Sequence, residues 1–118
     1  MKSNAYYDFL LMKAQIQQEQ AFPTLTPEQD VLLDAIYIAW SNHEKLGVTN
    51  AIKLNNQQSD STNFKHLKNL RKLKLVSIID DESDGRIKYV IPSEAALNYY
   101  HALNTKIVDT INAEFGLQ

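Results

Sequence analysis

The chain has 118 residues, a formal net charge of −2 and no cysteine. That length suits one domain with a single modest core, and the missing thiols exclude disulfides and thiolate metal sites. Apolar residues make up 44% and charged residues 22%, the balance of a globular rather than a disordered chain. The apolar run near the N-terminus, Phe9-Leu10-Leu11-Met12, is too short for a signal sequence or a membrane span. The expectation is a cytoplasmic protein without a membrane association.

The charge is unevenly spread. Between Lys45 and Lys88 lie nine of the twelve Lys and Arg residues but five of the fourteen acids, a local charge of +4. The remainder carries three bases and nine acids, or −6. A polyanion responds to the patch that faces it more than to the total.

In chain order, Asn4 is placed to cap a first helix from about Ala5 to Glu19. Its apolar residues cover more than one stripe, whereas a surface helix needs only one. That fits a helix sunk into its own domain, and equally one that also packs on a second subunit. Ala21-Phe22-Pro23 breaks it. Thr26 then caps a second helix, with Pro27 at N1 and Gln29 at N3 completing a capping box. Val31, Leu32, Ala35, Ile36, Ile38 and Ala39 are expected on its buried face, running to Trp40 and an end near Asn42. Gly47 marks the loop.

Val48 and Thr49 read as a stub of strand, and Asn50 to about Asn55 as a short helix capped by Thr49, with Ala51, Ile52 and Leu54 inward. Asn55-Asn56-Gln57-Gln58 suits a tight turn. Ser59 or Asp60 caps the next helix, from about Ser61 to Leu73. With Leu67 at the centre of the core and about 100° per residue, Leu70 and Asn63 face inward. Ser61, Lys65, Lys68, Asn69 and Lys72 face outward, with Thr62 and His66 at one margin and Phe64 and Arg71 at the other. Phe64 reads as a packed margin residue rather than a thymine-methyl contact. No acid occurs from Ser61 to Ile79. Ser, Thr, Asn and Lys on one face supply the donors that base edges and phosphates require.

Val76, Ile78 and Ile79 form a strand after a tight exit at Lys74-Leu75. Asp80 to Gly85 is a polar tip. Arg86 to Ile91 alternates as a second strand, with Ile87, Tyr89 and Ile91 on one face. Arg86 stands at the tip, suited to a minor groove. Asp84 is expected to orient it and the other acids to point outward. Pro92 ends the hairpin and Ser93 caps a last helix, Glu94 to Phe115, about 33 Å long. Ala96, Tyr100, Leu103, Ile107 and Ile111 form its stripe. That length overhangs a core of this size, which implies cover from the first helix and a two-fold mate.

The predicted fold is mainly α with a small antiparallel β-hairpin: one winged helix-turn-helix domain over 1–118. The helix-turn-helix and wing span 48–92, and dimerisation helices span 1–22 and 94–118. From Leu25 to Leu103 the chain resembles the winged helix-turn-helix transcriptional regulators, most closely the MarR-like group. The similarity is carried by Thr26-Pro27-Glu28-Gln29, by Ser59-Asp60-Ser61-Thr62 with Leu67, Leu70, Leu75 and Val76, and by Asp84-Gly85-Arg86 in the wing. The Gly-Arg-x-Lys-Tyr wing also resembles the PadR group. The resemblance implies a homodimer on a near-palindromic double-stranded DNA site and a role in transcriptional control, often repression. Three departures stand out. Lys74 occupies the family's turn glycine, which demands a strained turn or another exit. Asn63 replaces an apolar inward residue, so looser packing of the recognition helix is expected. The chain is short for the family, leaving little room for an effector cleft.

The DNA-binding residues expected are Ser61, Thr62, Lys65, His66, Lys68, Asn69, Lys72 and Arg86, with Lys72 and Lys53 as backbone contacts. A winged helix used only for protein contacts is the alternative, favoured by the acidic tip. Enzyme chemistry is not expected. His43, His66 and His101 lack metal-ligand spacing. Three glycines cannot form a phosphate-cradling loop, and Asp80, Asp81 and Asp84 lack EF-hand spacing. No cofactor is implied, and no effector is named.

Overall fold

The computed structural model describes residues 4–116. Residues 1–3 and 117–118, the outer ends of the two segments expected to dimerise, lie outside the described residues. The element order is α1 (Ala5–Glu19), α2 (Pro27–Ser41), α3 (Val48–Ala51), α4 (Asp60–Lys72), β1 (Val76–Asp80), β2 (Lys88–Pro92) and α5 (Glu94–Phe115). It is the predicted architecture of helices with one antiparallel hairpin.

The four long helices begin where a side chain satisfies a free backbone N–H. Asn4 Oδ1 accepts from Tyr7 N at 3.0 Å. Thr26 and Gln29 form the reciprocal capping box, at 3.2 and 3.0 Å. Ser59 Oγ accepts from Thr62 N and Ser93 Oγ from Ala96 N, each at 3.2 Å. Of the two candidate caps for α4, Ser59 is the one used.

Three helices end alike, and without glycine. Ala21, His43 and Lys74 follow α1, α2 and α4 with φ of 49°, 60° and 63°. In each case the next residue's N–H reaches back five residues: Phe22 to Gln17 O, Glu44 to Ala39 O, Leu75 to Leu70 O, at 2.8, 2.9 and 3.0 Å. This is the Schellman arrangement, in which a left-handed residue reverses the chain and satisfies late carbonyls. Glycine holds that conformation without strain, and other residues do so at a cost of about 1–2 kcal/mol. Lys74 therefore takes the strained turn that its replacement of a glycine demanded.

The chain forms two compact units, residues 24–96 and residues 1–23 with 97–118. In the first, α2 packs on α4 and β2, α3 on β2, and α4 on β1. Leu33 and Ile36 of α2, Ala51 of α3, Leu67 and Leu70 of α4, and Leu75, Val76 and Val90 are buried there. The hairpin pairs Val76 with Pro92 through Asp80 with Lys88. Several expectations need correction here. The inward face of α2 is Gln29, Leu32, Leu33, Ile36 and Ala39. Val31 and Ile38 are each 59% exposed, because a helix apolar on several sides does not reveal which side its neighbours occupy. Val48 and Thr49 are not strand: Gly47 makes the single bridge, to Tyr89, and α3 starts directly after it without a Thr49 cap. Leu54 is exposed. The strand β2 begins at Lys88, and its deeply buried residues are Val90 and Pro92. Tyr89 and Ile91 are half-buried and Ile87 is exposed.

In the second unit, Ile16 of α1 and Tyr99 and Leu103 of α5 form a small core, with Met12, Phe22 and Tyr100 against it. Phe22 stacks on Tyr99 with ring centroids 4.0 Å apart, and Gln17 Nε2 donates to the Tyr99 hydroxyl at 3.1 Å. Tyr99 was absent from the predicted stripe. Ile107 and Ile111 of that stripe are exposed, as are Tyr6, Tyr7, Leu10 and Leu11 on α1.

Candidate nucleic-acid interface

The helix α4 carries the expected division of faces. Leu67, Leu70 and Asn63 are buried, and Ser61, Lys65, Lys68, Asn69 and Lys72 are exposed. Thr62 and His66 sit half-buried at the margin. The Thr62 hydroxyl is engaged at the cap, accepting from Ser59 Oγ at 2.9 Å. His66 Nδ1 is buried without a hydrogen-bond partner, so that nitrogen does not face a ligand. Phe64 departs from its predicted packing: its ring is exposed, with Lys68 Nζ 5.7 Å from the centroid.

Asn63 does not loosen the helix. Its Nδ2 donates to Ile52 O and to Asn55 O, each at 2.7 Å. Those carbonyls belong to the end of α3 and the start of the turn, where helical bonding has stopped. An apolar residue at this position would leave both without this partner. Asn63 thus fixes the angle at which α4 leaves the turn. An inward-facing Asn one turn into a helix, just after a tight reversal, was the signal for it in the sequence.

The electrostatics of this unit follow from which cations have partners. Lys53 pairs with Asp60 at 2.8 Å, Arg86 with Asp84 at 3.0 Å, and Lys88 with Asp80. Among the described residues, Lys65, Lys68, Arg71, Lys72 and Lys74 form no ion pair. The unpaired positive charge is therefore concentrated on α4 and its exit. Arg71 and Lys74 were not among the predicted site residues. Lys53, expected to help hold a backbone, is already engaged by an acid.

The wing tip is built around two aspartates. Asp84 takes both the Nε and Nη2 of Arg86 at 3.0 Å and also accepts from Arg86 N. The Arg86 side chain nevertheless remains 91% exposed. The guanidinium holds the Asp84 carboxyl below its ordinary pKa, and the carboxylate in turn raises that of Arg86. Asp84 orients Arg86 as expected, but the other acids do not all point outward. Asp81 accepts from Ser83 N and Asp84 N, at 3.0 and 3.1 Å. Those N–H groups, led by that of Ser83, and the Tyr89 hydroxyl lower its pKa. The same contact raises that of Tyr89. Lys45 lies over the Tyr89 ring at 5.6 Å. Tyr89 and Lys45 also line a cavity of about 550 Å³ between the end of α2 and the wing.

No family model matches the sequence, and no curated protein matches it significantly. Solved structures do. The chain is similar to S. aureus MepR in a complex with DNA, with a TM-score of 0.62 and 18% identity over 93% of this chain and 79% of that one. It is similar to S. aureus MepR bound to ethidium bromide, with a TM-score of 0.63 and 18% identity over 98% and 84% of the two chains. A third likeness is to the adhesin competence repressor AdcR of Streptococcus pyogenes, with a TM-score of 0.52 and 22% identity over 96% and 75%. The chain therefore has the winged helix-turn-helix fold that the MarR-like resemblance implied, with α4 as its second helix and β1–β2 as its wing. No helix among the described residues is long and apolar enough to cross a membrane, and no three metal-ligating side chains gather there.

Proposed function

We propose that this protein is a homodimeric, sequence-specific double-stranded DNA-binding regulator of transcription that acts as a repressor in the cytoplasm. The observation that carries this reading is the outward face of α4, with five cations at the helix and its exit that meet no acid among the described residues. Phosphates approaching that face displace counterions but break no existing ion pair. The helix enters a major groove. Lys65, Lys68 and Asn69 meet base edges and phosphate, Ser61, Thr62 and His66 flank them, and Lys72 holds the backbone. Arg86, presented by Asp84, reaches the adjacent minor groove. MepR in a DNA-bound structure and AdcR, named a repressor, share the fold and support the same use of it.

Dimerisation follows from unit 1–23 with 97–118. Tyr6, Tyr7, Leu10 and Leu11 on α1 and Ile107, Val108 and Ile111 on α5 are exposed. Apolar surface of this extent on small regular elements is a site of association. A two-fold axis through these terminal segments, 1–22 and 94–118, sets two helix-turn-helix and wing regions, 48–92, on half-sites about 34 Å apart.

The test is binding to random-sequence duplex DNA at two salt concentrations, with the mass of the free protein measured in parallel. A dimer whose affinity falls steeply with salt is the expected result. A protein with no affinity at low salt overturns the reading in favour of protein contacts through the acidic wing.

A further inference from the structure

The helix α4 has three apolar side chains, and only two of them serve the core. Leu67 and Leu70 are buried, while Phe64 is 41% exposed. Of its helical neighbours, Asp60 at i−4, Ser61 at i−3 and Lys68 at i+4 are exposed, and only Leu67 at i+3 is buried. The Lys68 ammonium covers the ring at 5.7 Å, which leaves the rest of the ring outward. A helix face meant only for water and phosphate gains nothing from a phenyl group there. Phe64 also lies in the second turn of α4, in the N-terminal half, where a recognition helix meets base edges. On those edges in the major groove, the one apolar group is the C5-methyl of thymine.

We propose that Phe64 is a specificity-determining residue that packs on the C5-methyl group of a thymine in each half-site, with Lys68 holding the ring in position. This rests on the DNA-binding reading above. It adds a base identity that the polar residues of α4 do not supply. It also turns an exposed aromatic from a solubility burden into a contact made only on the right sequence.

The experiment starts from the duplex that the wild-type protein selects out of random DNA. Each half-site thymine is replaced in turn by deoxyuridine, which lacks only the methyl group. One symmetric pair of replacements weakens wild-type binding by about fifteenfold, about fourfold per half-site for one buried methyl. Phe64→Ala binds the thymine duplex more weakly and no longer distinguishes it from the uracil duplex. Phe64→Leu keeps part of the discrimination. The coupling between protein and base change is the readout, since a merely structural role for Phe64 would weaken binding to both duplexes equally. If no half-site thymine responds to the swap, or if Phe64→Ala discriminates as the wild type does, the assignment is wrong while DNA binding stands. A protein with no affinity for duplex DNA overturns both.

Discussion

The positive charges of α4 and of the wing are handled in opposite ways. On α4 and its exit, Lys65, Lys68, Arg71, Lys72 and Lys74 meet no acid among the described residues. At the wing, Arg86 is clamped by Asp84 and Lys88 by Asp80. Exposed ion pairs of this kind contribute little to stability. Their effect is geometric: the arginine is aimed before any ligand arrives, and its charge is largely balanced. Under the proposed DNA-binding role, the contrast predicts that affinity and salt dependence come from the helix, and orientation from the wing.

The largest expected effect breaks the helix side of that contrast. Replacing Lys65, Lys68 and Lys72 together by Ala removes about six phosphate contacts from a dimer, which corresponds to roughly four orders of magnitude in affinity at physiological salt and a salt slope lower by about 5. Arg86→Ala, by contrast, weakens the selected site more than random DNA and barely alters the slope. Equal slope changes in the two variants would erase the distinction.

Next in size is the joint between α3 and α4. Asn63→Leu keeps the branched heavy-atom shape but leaves Ile52 O without this donor and Asn55 O with only the longer bond from Gln58 N at 3.4 Å, at a cost of about 1–3 kcal/mol. Urea unfolding checks this, and a variant as stable as the wild type would show that the two 2.7 Å bonds do not hold the turn.

Lys74→Gly acts in the other direction. It relieves a left-handed lysine at φ 63°. After the extra chain entropy of glycine is counted, about 0.5–1 kcal/mol of stability is gained. The same variant lowers the salt slope if Lys74 faces phosphate, so stability and affinity move apart.

The smallest effect concerns the wing alone. Ser83 N–H lowers the pKa of Asp81, and Arg86 lowers that of Asp84, from the ordinary 3.8. A depressed carboxyl contributes stability above its unfolded value, and that contribution is lost as pH falls through the lower folded value. Protection of the Ser83, Asp84 and Arg86 amides, measured against the intrinsic exchange rate at each pH, therefore falls on acidification below about pH 4, ahead of protection in α4. Simultaneous loss in both would mean that the wing is held by something other than these carboxylates.

The parts of the fold written in single residues were legible in the sequence. Asn4, Thr26 with Gln29, Ser59 and Ser93 mark the helix starts, because a cap is one side chain bonding to one nearby N–H. The outward lysines of α4 followed from its spacing, because Leu67 and Leu70 leave a single choice of inward face. The Arg86–Asp84 pair followed from two residues two positions apart on a tight tip. Where apolar residues occupied more than one face, the sequence left the choice open. For α2 it did not reveal that Leu33 rather than Val31 and Ile38 is buried. For β2 it did not reveal that Val90 and Pro92 lie deepest.

What the sequence by itself determined is the order of the four long helices and the hairpin, the points where those helices begin and the concentration of basic residues between Lys45 and Lys88. Only the tertiary structure decided how α1, α2 and α4 stop, each on a left-handed residue that is not glycine. Ala21 and Lys74 have no intrinsic preference for a left-handed turn, and at α1 and α4 the residues that follow, Phe22 and Leu75, pack inward. It also decided that the inward Asn63 meets two carbonyls and that Phe64 stays out. Both outcomes depend on what the chain brings opposite a side chain, and periodicity along one helix carries no information about that.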